Sequence, residues 1–462
     1  MGIALPVLAG FFLWTGFAPL EFALGPYIGA ALLYRSIIDR NLRDRLIASI
    51  LAGLVFFLPL LHWSSSYVGW VPWVSLSLLQ TAFFSLLALF AWRRGVSSAF
   101  LFASLFTVIE IARMKWPFGG FGWGRVGHTQ VEYLSGLYSI VGVAGVTFLV
   151  VTVSTLIVNM QVKTIALLPI PFLINIFLPL PTANGSIGLV AVQGGVDELG
   201  FDYNKRALSV LKRHADATEA ITYEVDLIVW PENASDIDPL RNQEAARIIQ
   251  NVITKTKTPL LVGAVLREEL GPKNVSILYN ESNRVESMYI KQDLAPFGEY
   301  IPIRGIAEFV SPEARRVRDF QSGSEWIKHE VSGRVFQSII CFEVLDDDFI
   351  REGLSRAEFV VAQTNNATFG RSPQARQQLQ IVRARAAEFQ RDFAVVSTTG
   401  FTAHVNSKGE MVESLEQFVP GSLEMVLETR EERALASRIG SWAWIGIFLV
   451  TLAVNRRSVF SR

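Results

Sequence analysis

The sequence is poor in cysteine, histidine and charge. Among its 462 residues are one cysteine, Cys341, and five histidines. One cysteine excludes an internal disulfide, and the scattered histidines lack the ligand spacing of a zinc site, so we predict no metal and no other cofactor. Charged residues make up only 18% of the chain, below the roughly 25% of an average soluble domain. The 42 basic and 42 acidic side chains balance, which gives no indication of a nucleic-acid partner.

The apolar residues, half of the chain, are distributed unevenly. Residues 1–180 carry ten basic and five acidic side chains, and residues 436–462 carry four basic and none acidic. The middle, 181–435, carries 28 basic and 37 acidic side chains and only two of the eleven tryptophans. We therefore predict a membrane domain at 1–180, a water-soluble domain at 181–435, and a final membrane segment with its tail at 436–462.

The apolar runs predict helices that cross a bilayer, which takes about 17–25 residues. The clearest runs are 46–62, 73–91 and 137–158. Four further runs are interrupted by proline, glycine or charge, and the C-terminal run is short: 3–20, 22–38, 97–112, 164–180 and 440–454. No basic segment precedes 3–20, so we interpret it as a span and not as a signal peptide. The prediction is eight spans, seven before the soluble domain and one after it.

Lysine and arginine concentrate in alternate loops, which predicts the orientation. The loops after spans two, four and six and the tail carry Arg35, Arg40, Arg43, Arg45, Arg93, Arg94, Lys163, Arg456, Arg457 and Arg462. The loops after spans one and three carry none, whereas the loop after span five breaks the pattern with Arg113, Lys115 and Arg125. We predict that both termini are cytoplasmic and that the soluble domain is extracytoplasmic.

Two features of the membrane domain have open interpretations. Glu110 lies near the end of an apolar run, and intramembrane carboxylates are costly enough to indicate a role; a span that ends just before it would place it at the interface instead. The loop 116–124 mixes aromatic residues with glycines. An aromatic anchor and a contact with a lipid substrate explain this loop equally well.

The soluble domain alternates between short apolar runs and amphipathic stretches, which favours an α/β fold. The runs that predict strands are 187–192, 226–230, 260–265, 275–279, 335–340, 359–362 and 393–397. Helices are predicted near 204–221, 240–256 and 373–390. No repeat and no glycine-rich phosphate loop is present in this sequence.

Three ionisable residues follow predicted strands: Glu232, Lys291 and Cys341. Active sites of α/β folds collect at the carboxyl ends of strands, and a thiol becomes nucleophilic when a base takes its proton or a cation stabilises the thiolate. Each residue also has a simpler explanation. The cysteine could be a core residue, the glutamate a helix cap, and the lysine a solvated loop residue.

The segments around these residues resemble the Glu-Lys-Cys motifs of the nitrilase superfamily. They read Trp-Pro-Glu-Asn at 230–233, Lys-Gln-Asp-Leu-Ala-Pro-Phe-Gly-Glu-Tyr-Ile-Pro at 291–302, and Cys-Phe-Glu at 341–343. The segment 296–302 and the order of spans, soluble domain and last span resemble the membrane branch, the apolipoprotein N-acyltransferases. Segment 363–369, Gln377 and segment 383–386 are similar to the same family. The resemblance covers essentially the whole chain and implies an αββα sandwich carried by a polytopic helical membrane domain.

The resemblance implies a role for each site residue. Glu232 would be the general base, Lys291 would stabilise the oxyanion, and Cys341 would be the nucleophile. Glu299 and Glu343 correspond to supporting acids. The chain departs from the family at two positions, with Phe342 where tyrosine is frequent and Gln378 where histidine is common; these departures concern substrate contacts.

The implied reaction is transfer of an acyl chain from a membrane phospholipid, through a thioester on Cys341, to the N-terminal amine of a diacylglyceryl-cysteine lipoprotein. The implied location is the bacterial inner membrane. Two alternatives are a membrane-bound amidase that uses water as acceptor and a non-enzymatic transporter or scaffold. The number of predicted spans favours lipid substrates over the amidase, and the intact motifs argue against a degenerate domain.

Overall fold

The computed structural model describes residues 3–66, 69–159, 170–178, 181–196, 207–221, 223–310, 315 and 318–460. The N-terminal part is helical, with α1 Ala4–Thr15, α2 Gly25–Ile37, α3 Leu42–Leu60, α4 Trp70–Ser85, α5 Val96–Lys115, α6 Val131–Asn159 and α7 Ile170–Phe177. Short 3₁₀ turns follow α3 and α4 at His62–Ser65 and Leu86–Leu89, and a third lies before α6 at Val126–Thr129.

Among the described residues, three helices are long and apolar enough to cross a membrane: Trp70–Leu89, Val96–Lys115 and Val131–Asn159. They coincide with the predicted spans 73–91, 97–112 and 137–158. The predicted span 46–62 lies in α3, which begins earlier because the side chain of Asn41 accepts a hydrogen bond from the backbone of Asp44. Run 164–180 falls partly outside the described residues, so the count of eight spans stays a prediction.

The soluble domain contains two six-stranded sheets. The first has the order β12-β1-β2-β3-β4-β5, with β1 Gly185–Gln193, β2 Leu227–Val229, β3 Leu260–Arg267, β4 Pro272–Tyr279, β5 Val285–Ile290 and β12 Gly421–Thr429. The second has the order β11-β10-β9-β8-β7-β6, with β6 His329–Val331, β7 Arg334–Ile340, β8 Phe359–Thr364, β9 Phe393–Ser397, β10 Ala403–Val405 and β11 Met411–Ser414. Strands β1 to β3 are parallel to one another, as are β7 to β9.

The helices of this domain are α8 Ala207–Glu219, α9 Gln243–Thr256, α10 Arg304–Val310, α11 Asp347–Gly353 and α12 Gln374–Phe389. The chain closes with α13 Ala436–Ile439 and α14 Trp442–Phe460. All seven strands predicted with bounds and the three predicted helices have counterparts here, and β5 is the strand predicted to end at Lys291. Strands β6, β10, β11 and β12 were not predicted.

The two sheets face each other across a core of buried hydrophobic residues, and helices cover their outer faces. Alternate residues of the central strands point into this core, as Leu227 and Val229 do in the first sheet and Phe359 and Val361 do in the second. Ile228 instead packs toward α8 and α9. Burial of both faces is typical of parallel strands, and the arrangement is the expected αββα sandwich.

Helix α12 joins the hydrophobic core of the second sheet to that of the membrane helices. Apolar residues of α12, including Leu379, Val382 and Ala386, belong to one buried cluster with residues of α1, α3, α5 and α6. The soluble domain and the membrane helices therefore share a core, because α12 packs on the sheet with one side and on the helical bundle with the other.

One buried glutamine on α12 links this helix to the membrane helices by hydrogen bonds. Gln377 is 2% exposed, and its amide oxygen accepts hydrogen bonds from the indole N–H groups of Trp63, at 3.1 Å, and Trp123, at 2.7 Å. Its amide nitrogen donates to the carbonyls of Ala18, at 3.1 Å, and Leu60, at 3.3 Å. Both acceptor positions and both donors of the amide are used, so Gln377 fixes the rotation of α12 relative to the bundle.

Candidate active site

The three sequence-predicted residues meet where strands of both sheets end. Glu232 follows β2, Lys291 directly follows β5, and Cys341 directly follows β7. Strand β5 is antiparallel to β4, which is antiparallel to β3, so β5 runs in the same direction as β2 and ends at the same edge of the first sheet. The Nζ atom of Lys291 lies 3.5 Å from Oε1 of Glu232.

The ammonium group of Lys291 is buried between two carboxylates. The side chain is 1% exposed, and its Nζ lies 2.8 Å from Oε2 of Glu299 as well as close to Glu232. Burial lowers the pKa of a lysine, but here the attraction of Glu299 and Glu232 outweighs it and the pKa of Lys291 is raised above its usual range. Lys291 is therefore positively charged at neutral pH.

A residue that sequence reasoning missed, Asn274, holds the two carboxylates together. Its side-chain amide donates one hydrogen bond to Oε1 of Glu232, at 2.7 Å, and another to Oε1 of Glu299, at 2.9 Å. Asn274 is 1% exposed and lies in β4 beside β5. Asn274 precedes the predicted strand 275–279, and only the observed strand Pro272–Tyr279 includes it, so no sequence pattern indicated its role.

Glu232 is placed to exchange a proton. Its second oxygen, Oε2, accepts a hydrogen bond from the backbone N–H of Asn365 at 2.7 Å. Burial raises the pKa of Glu232 above its ordinary value, against the opposing effect of Lys291. A carboxylate with a raised pKa is a better proton acceptor than a solvated one, which suits a general base.

Cys341 occupies a sharp turn between β7 and the 3₁₀ turn Cys341–Leu345. Its φ angle of 51° lies in the left-handed region that non-glycine residues rarely adopt. Such strain is retained where the surroundings fix it, and it is frequent at functional sites. Burial, together with Glu232, raises the pKa of the thiol to about 12, although Lys291 acts in the opposite direction. The resting cysteine is a neutral thiol that needs a base.

Glu343 holds the turn in place. Its Oε2 accepts from the backbone N–H of Ile340 at 2.7 Å, and its Oε1 accepts from the hydroxyl of Tyr289, at 2.7 Å, and the backbone N–H of Gln292, at 2.8 Å. These bonds connect the turn at Cys341 to the segment around Lys291.

Gln378 supports the same turn from α12. Its Nε2 donates to the carbonyl oxygen of Cys341 at 3.2 Å and lies 3.8 Å from the sulfur. Its Oε1 accepts from the side chains of Thr364, at 3.2 Å, and Asn366, at 2.8 Å. The glutamine found in place of a histidine thus holds the backbone of Cys341.

The loop 116–124 of the membrane domain packs beside Cys341. Phe342 stacks on Phe121 with 6.2 Å between ring centroids, and Phe121 stacks in turn on Trp123. The hydroxyl of Tyr300 donates to the carbonyl oxygen of Phe118 at 2.9 Å. This loop therefore packs on the catalytic domain next to Cys341.

Glu110 lies inside α5, which continues to Lys115, and it is 1% exposed. It accepts hydrogen bonds from Val126 N–H, at 2.8 Å, and Thr147 Oγ1, at 2.7 Å. The Nε atom of Arg125 lies 3.8 Å from Oε2 of Glu110, and its Nη1 lies 2.5 Å from Oδ1 of Asp347.

Arg385 completes this buried network. It pairs with Asp347 at 2.5 Å and donates to the carbonyls of Val344, at 2.9 Å, and Leu345, at 3.0 Å. Glu110 is thus joined, through charged groups, to the turn that carries Cys341. Within the described part of the chain, no group of three or more His, Cys, Asp or Glu side chains is arranged to hold a metal ion.

Comparison with known proteins assigns both parts of the chain to families. Residues 9–156 match the apolipoprotein N-acyltransferase N-terminal domain, and residues 191–425 match the carbon-nitrogen hydrolase family. The apolipoprotein N-acyltransferase of Mycolicibacterium smegmatis is 29% identical, over 97% of this chain and 84% of that protein. That of Haemophilus influenzae is 26% identical, over 79% of this chain and 76% of that protein.

Among solved structures, Nit3 of Saccharomyces cerevisiae, from the nitrilase superfamily, covers 53% of this chain with 16% identity and a TM-score of 0.39; 91% of Nit3 is matched. Because the hydrolase match spans half of the sequence, the chain belongs to the carbon-nitrogen hydrolase family. Its N-terminal match and its relatives place it in the membrane branch, the apolipoprotein N-acyltransferases, which confirms the resemblance.

The raised pKa of Cys341 predicts how its alkylation depends on pH. Only the thiolate reacts with iodoacetamide, so the rate at Cys341 should rise about tenfold per pH unit up to about pH 11, without a plateau. The control is Glu286→Cys in a Cys341→Ala background, because Glu286 is exposed on β5. That thiol should reach its plateau about one unit above its ordinary pKa of ~8.5. A plateau for Cys341 near neutral pH would contradict the account of the resting thiol.

Proposed function

We propose that this chain transfers an acyl chain from a membrane phospholipid, through a thioester on Cys341, to the N-terminal amine of a diacylglyceryl-cysteine lipoprotein. The observation that carries the proposal is the turn at Cys341, which meets the buried Glu232–Lys291–Glu299 cluster on one side and the membrane domain, through Phe342, on the other. The names of the relatives support the acceptor, since they are apolipoprotein N-acyltransferases.

In the first half-reaction Glu232 takes the thiol proton and the thiolate attacks the ester carbonyl carbon of the phospholipid. The carbonyl oxygen becomes an oxyanion that Lys291 stabilises, the kind of fixed positive charge that contributes most to acyl transfer. The C–O ester bond then breaks. The lysophospholipid leaves with the proton from Glu232, and the acyl group stays on Cys341 as a thioester.

In the second half-reaction the lipoprotein amine attacks the thioester carbonyl and gives a proton to Glu232. A second oxyanion forms beside Lys291, the C–S bond breaks, and the sulfur recovers the proton. The product is an amide and the enzyme returns to its starting state, which is a ping-pong sequence. Both substrates are anchored in lipid, so a site joined to a membrane domain meets them by lateral diffusion.

We also infer the orientation of the protein in a bacterial inner membrane. At one end of the helical bundle Arg94 pairs with Asp39 at 3.9 Å, and Ser97 at the start of α5 donates to Asn455 near the end of α14 at 2.8 Å. At the other end of α5, Lys115 pairs with Asp346 of the catalytic domain at 2.7 Å. The basic loops lie away from the catalytic domain, which favours cytoplasmic termini and an extracytoplasmic catalytic domain.

The reaction is tested by its products. The purified chain in mixed micelles with phospholipid and a diacylated lipopeptide should give N-acylated lipopeptide and lysophospholipid in equal amounts. Cys341→Ala should give neither, because Cys341 is the only cysteine. Release of free fatty acid, with the lipopeptide unmodified, would favour the water-using amidase and contradict the proposal.

Glu299 is expected to act through Lys291. Glu299→Gln keeps the size of the side chain but removes the charge 2.8 Å from Nζ. Loss of a hydrogen bond between charged groups, worth about 1.5–3 kcal/mol, should slow single-turnover acylation of Cys341 by about 10–100-fold. Glu286→Gln is the matched control, since it makes the same change at an exposed position on β5 and should leave the rate unaltered. Equal rates in the two variants would exclude this role.

The orientation is tested in a Cys341→Ala background with one new cysteine at a time. A membrane-impermeant maleimide should label Glu286→Cys on intact cells and should label Arg43→Cys only after lysis, since both positions are exposed. The reverse pattern would overturn the topology.

A further inference from the structure

A cavity of about 210 Å³ lies where α6, α13 and α14 meet the catalytic domain. It adjoins Glu388 near the end of α12, ten residues along the helix from Gln378 at the active site. Apolar residues of two membrane helices, Ala144, Trp444 and Ile447, form one part of its wall. A dry 150 Å³ cavity is large enough for benzene, so this one admits a larger group.

Two carboxylates in the wall are already neutralised. Asp347 pairs with both Arg125 and Arg385 at 2.5 Å. Glu388 pairs with Arg385 at 2.5 Å and accepts from the backbone N–H of Val143 at 3.1 Å. Neither leaves an uncompensated negative charge facing the cavity.

Arg351, also in the wall, retains hydrogen-bonding capacity. Its Nη2 donates to Asp348 at 2.9 Å, whereas its buried Nε has no hydrogen-bond partner within the described ranges. The guanidinium lies against Gly440, where a Cβ atom would stand 2.7 Å from Cζ. Gly440 has a φ of 67°, so both its conformation and this close approach require glycine.

Ser441 provides a further donor beside Arg351. It is 5% exposed, lines the cavity, and its hydroxyl has no partner among the residues described. Its backbone N–H donates to Oδ1 of Asp348 at 3.3 Å, and it directly precedes α14, whose own first backbone N–H groups lack partners within the helix and favour an anion. An arginine, an unused hydroxyl and a helix N-terminus therefore surround one end of a cavity whose other end is apolar.

We propose that this cavity binds a membrane glycerophospholipid at a site separate from the active site. Its phosphate would accept hydrogen bonds from Arg351, Ser441 and the start of α14. The first part of an acyl chain would lie against Ala144, Trp444 and Ile447. The exposed Trp442 at the start of α14 fits the headgroup level of a bilayer. Free phosphate has the same charged oxygens as the headgroup, but it has no acyl chain to contact the apolar part of the cavity wall.

The test measures binding to the full chain in a Cys341→Ala background, which prevents turnover. Native mass spectrometry in detergent counts retained phosphatidylglycerol molecules across a concentration series. Arg351→Gln should weaken one binding event by about 10–100-fold, the value of a hydrogen bond to a charged group. Arg438→Gln is the matched control, because Arg438 is exposed on α13 and is not part of the cavity wall; it should leave that event unchanged.

A second variant and a second ligand complete the test. Ser441→Ala keeps every charge and should weaken the same event about fivefold, so the proposal stays testable if Arg351→Gln does not fold. Inorganic phosphate at equal concentration should not displace the lipid. Equal lipid retention in Arg351→Gln and Arg438→Gln, or displacement by inorganic phosphate alone, would overturn the proposal. Product formation by the unmodified chain is not part of the readout, so this result is independent of the proposed acyl transfer.

Discussion

The ion cluster around Lys291 is the constraint on which the site depends. A buried ammonium is stable only when opposite charges and hydrogen bonds replace its water, and Glu232 and Glu299 do so from two different segments. Asn274 fixes the distance between them, because its one amide nitrogen donates to both. The ends of β2 and β5 are thereby held together through β4. The cluster also keeps a positive charge beside a thiol that is neutral at rest, so the charge is in place before an oxyanion forms.

The second constraint is the attachment of the nucleophile to the membrane domain. Arg385 binds the carbonyls of the turn after Cys341 and shares Asp347 with Arg125, which in turn lies next to Glu110 in α5. Removing one member of such a network leaves a buried charge without a partner, which costs more than the pair contributes. Gln377 adds an uncharged fastening between α12 and the helical bundle. Cys341 is therefore positioned by membrane helices as well as by the sheets.

Sequence patterns predicted the elements whose burial is continuous. Strands such as β8 and β9 are buried on both faces and appear as unbroken apolar runs. Strand β11 is exposed throughout, so burial leaves no hydrophobic pattern in it. Strand β5 has only one buried residue and was predicted only by its end at Lys291. The first predicted span ended too late because α1 stops at Thr15, before a turn that contains Gly16 and Pro19.

The candidate catalytic residues could be recognised from the sequence motifs around them, whereas the residues that hold them in place could not. Glu232, Lys291 and Cys341 stand in family motifs, but the role of Asn274 depends on pairing between β4 and β5. The role of Gln377 depends on contacts with residues more than 250 positions away. Such contacts follow from the tertiary fold and leave no local pattern.

The central claim is that the acyl group passes through Cys341, and intact-mass spectrometry tests it most directly. The chain is incubated with a phospholipid of one acyl type and no acceptor, then quenched in acid to preserve thioesters. The account predicts a mass increase of one acyl group, located on the peptide that contains Cys341, reversed by hydroxylamine, and lost when a lipopeptide acceptor is added. An unmodified chain that nevertheless forms N-acylated lipopeptide would contradict it.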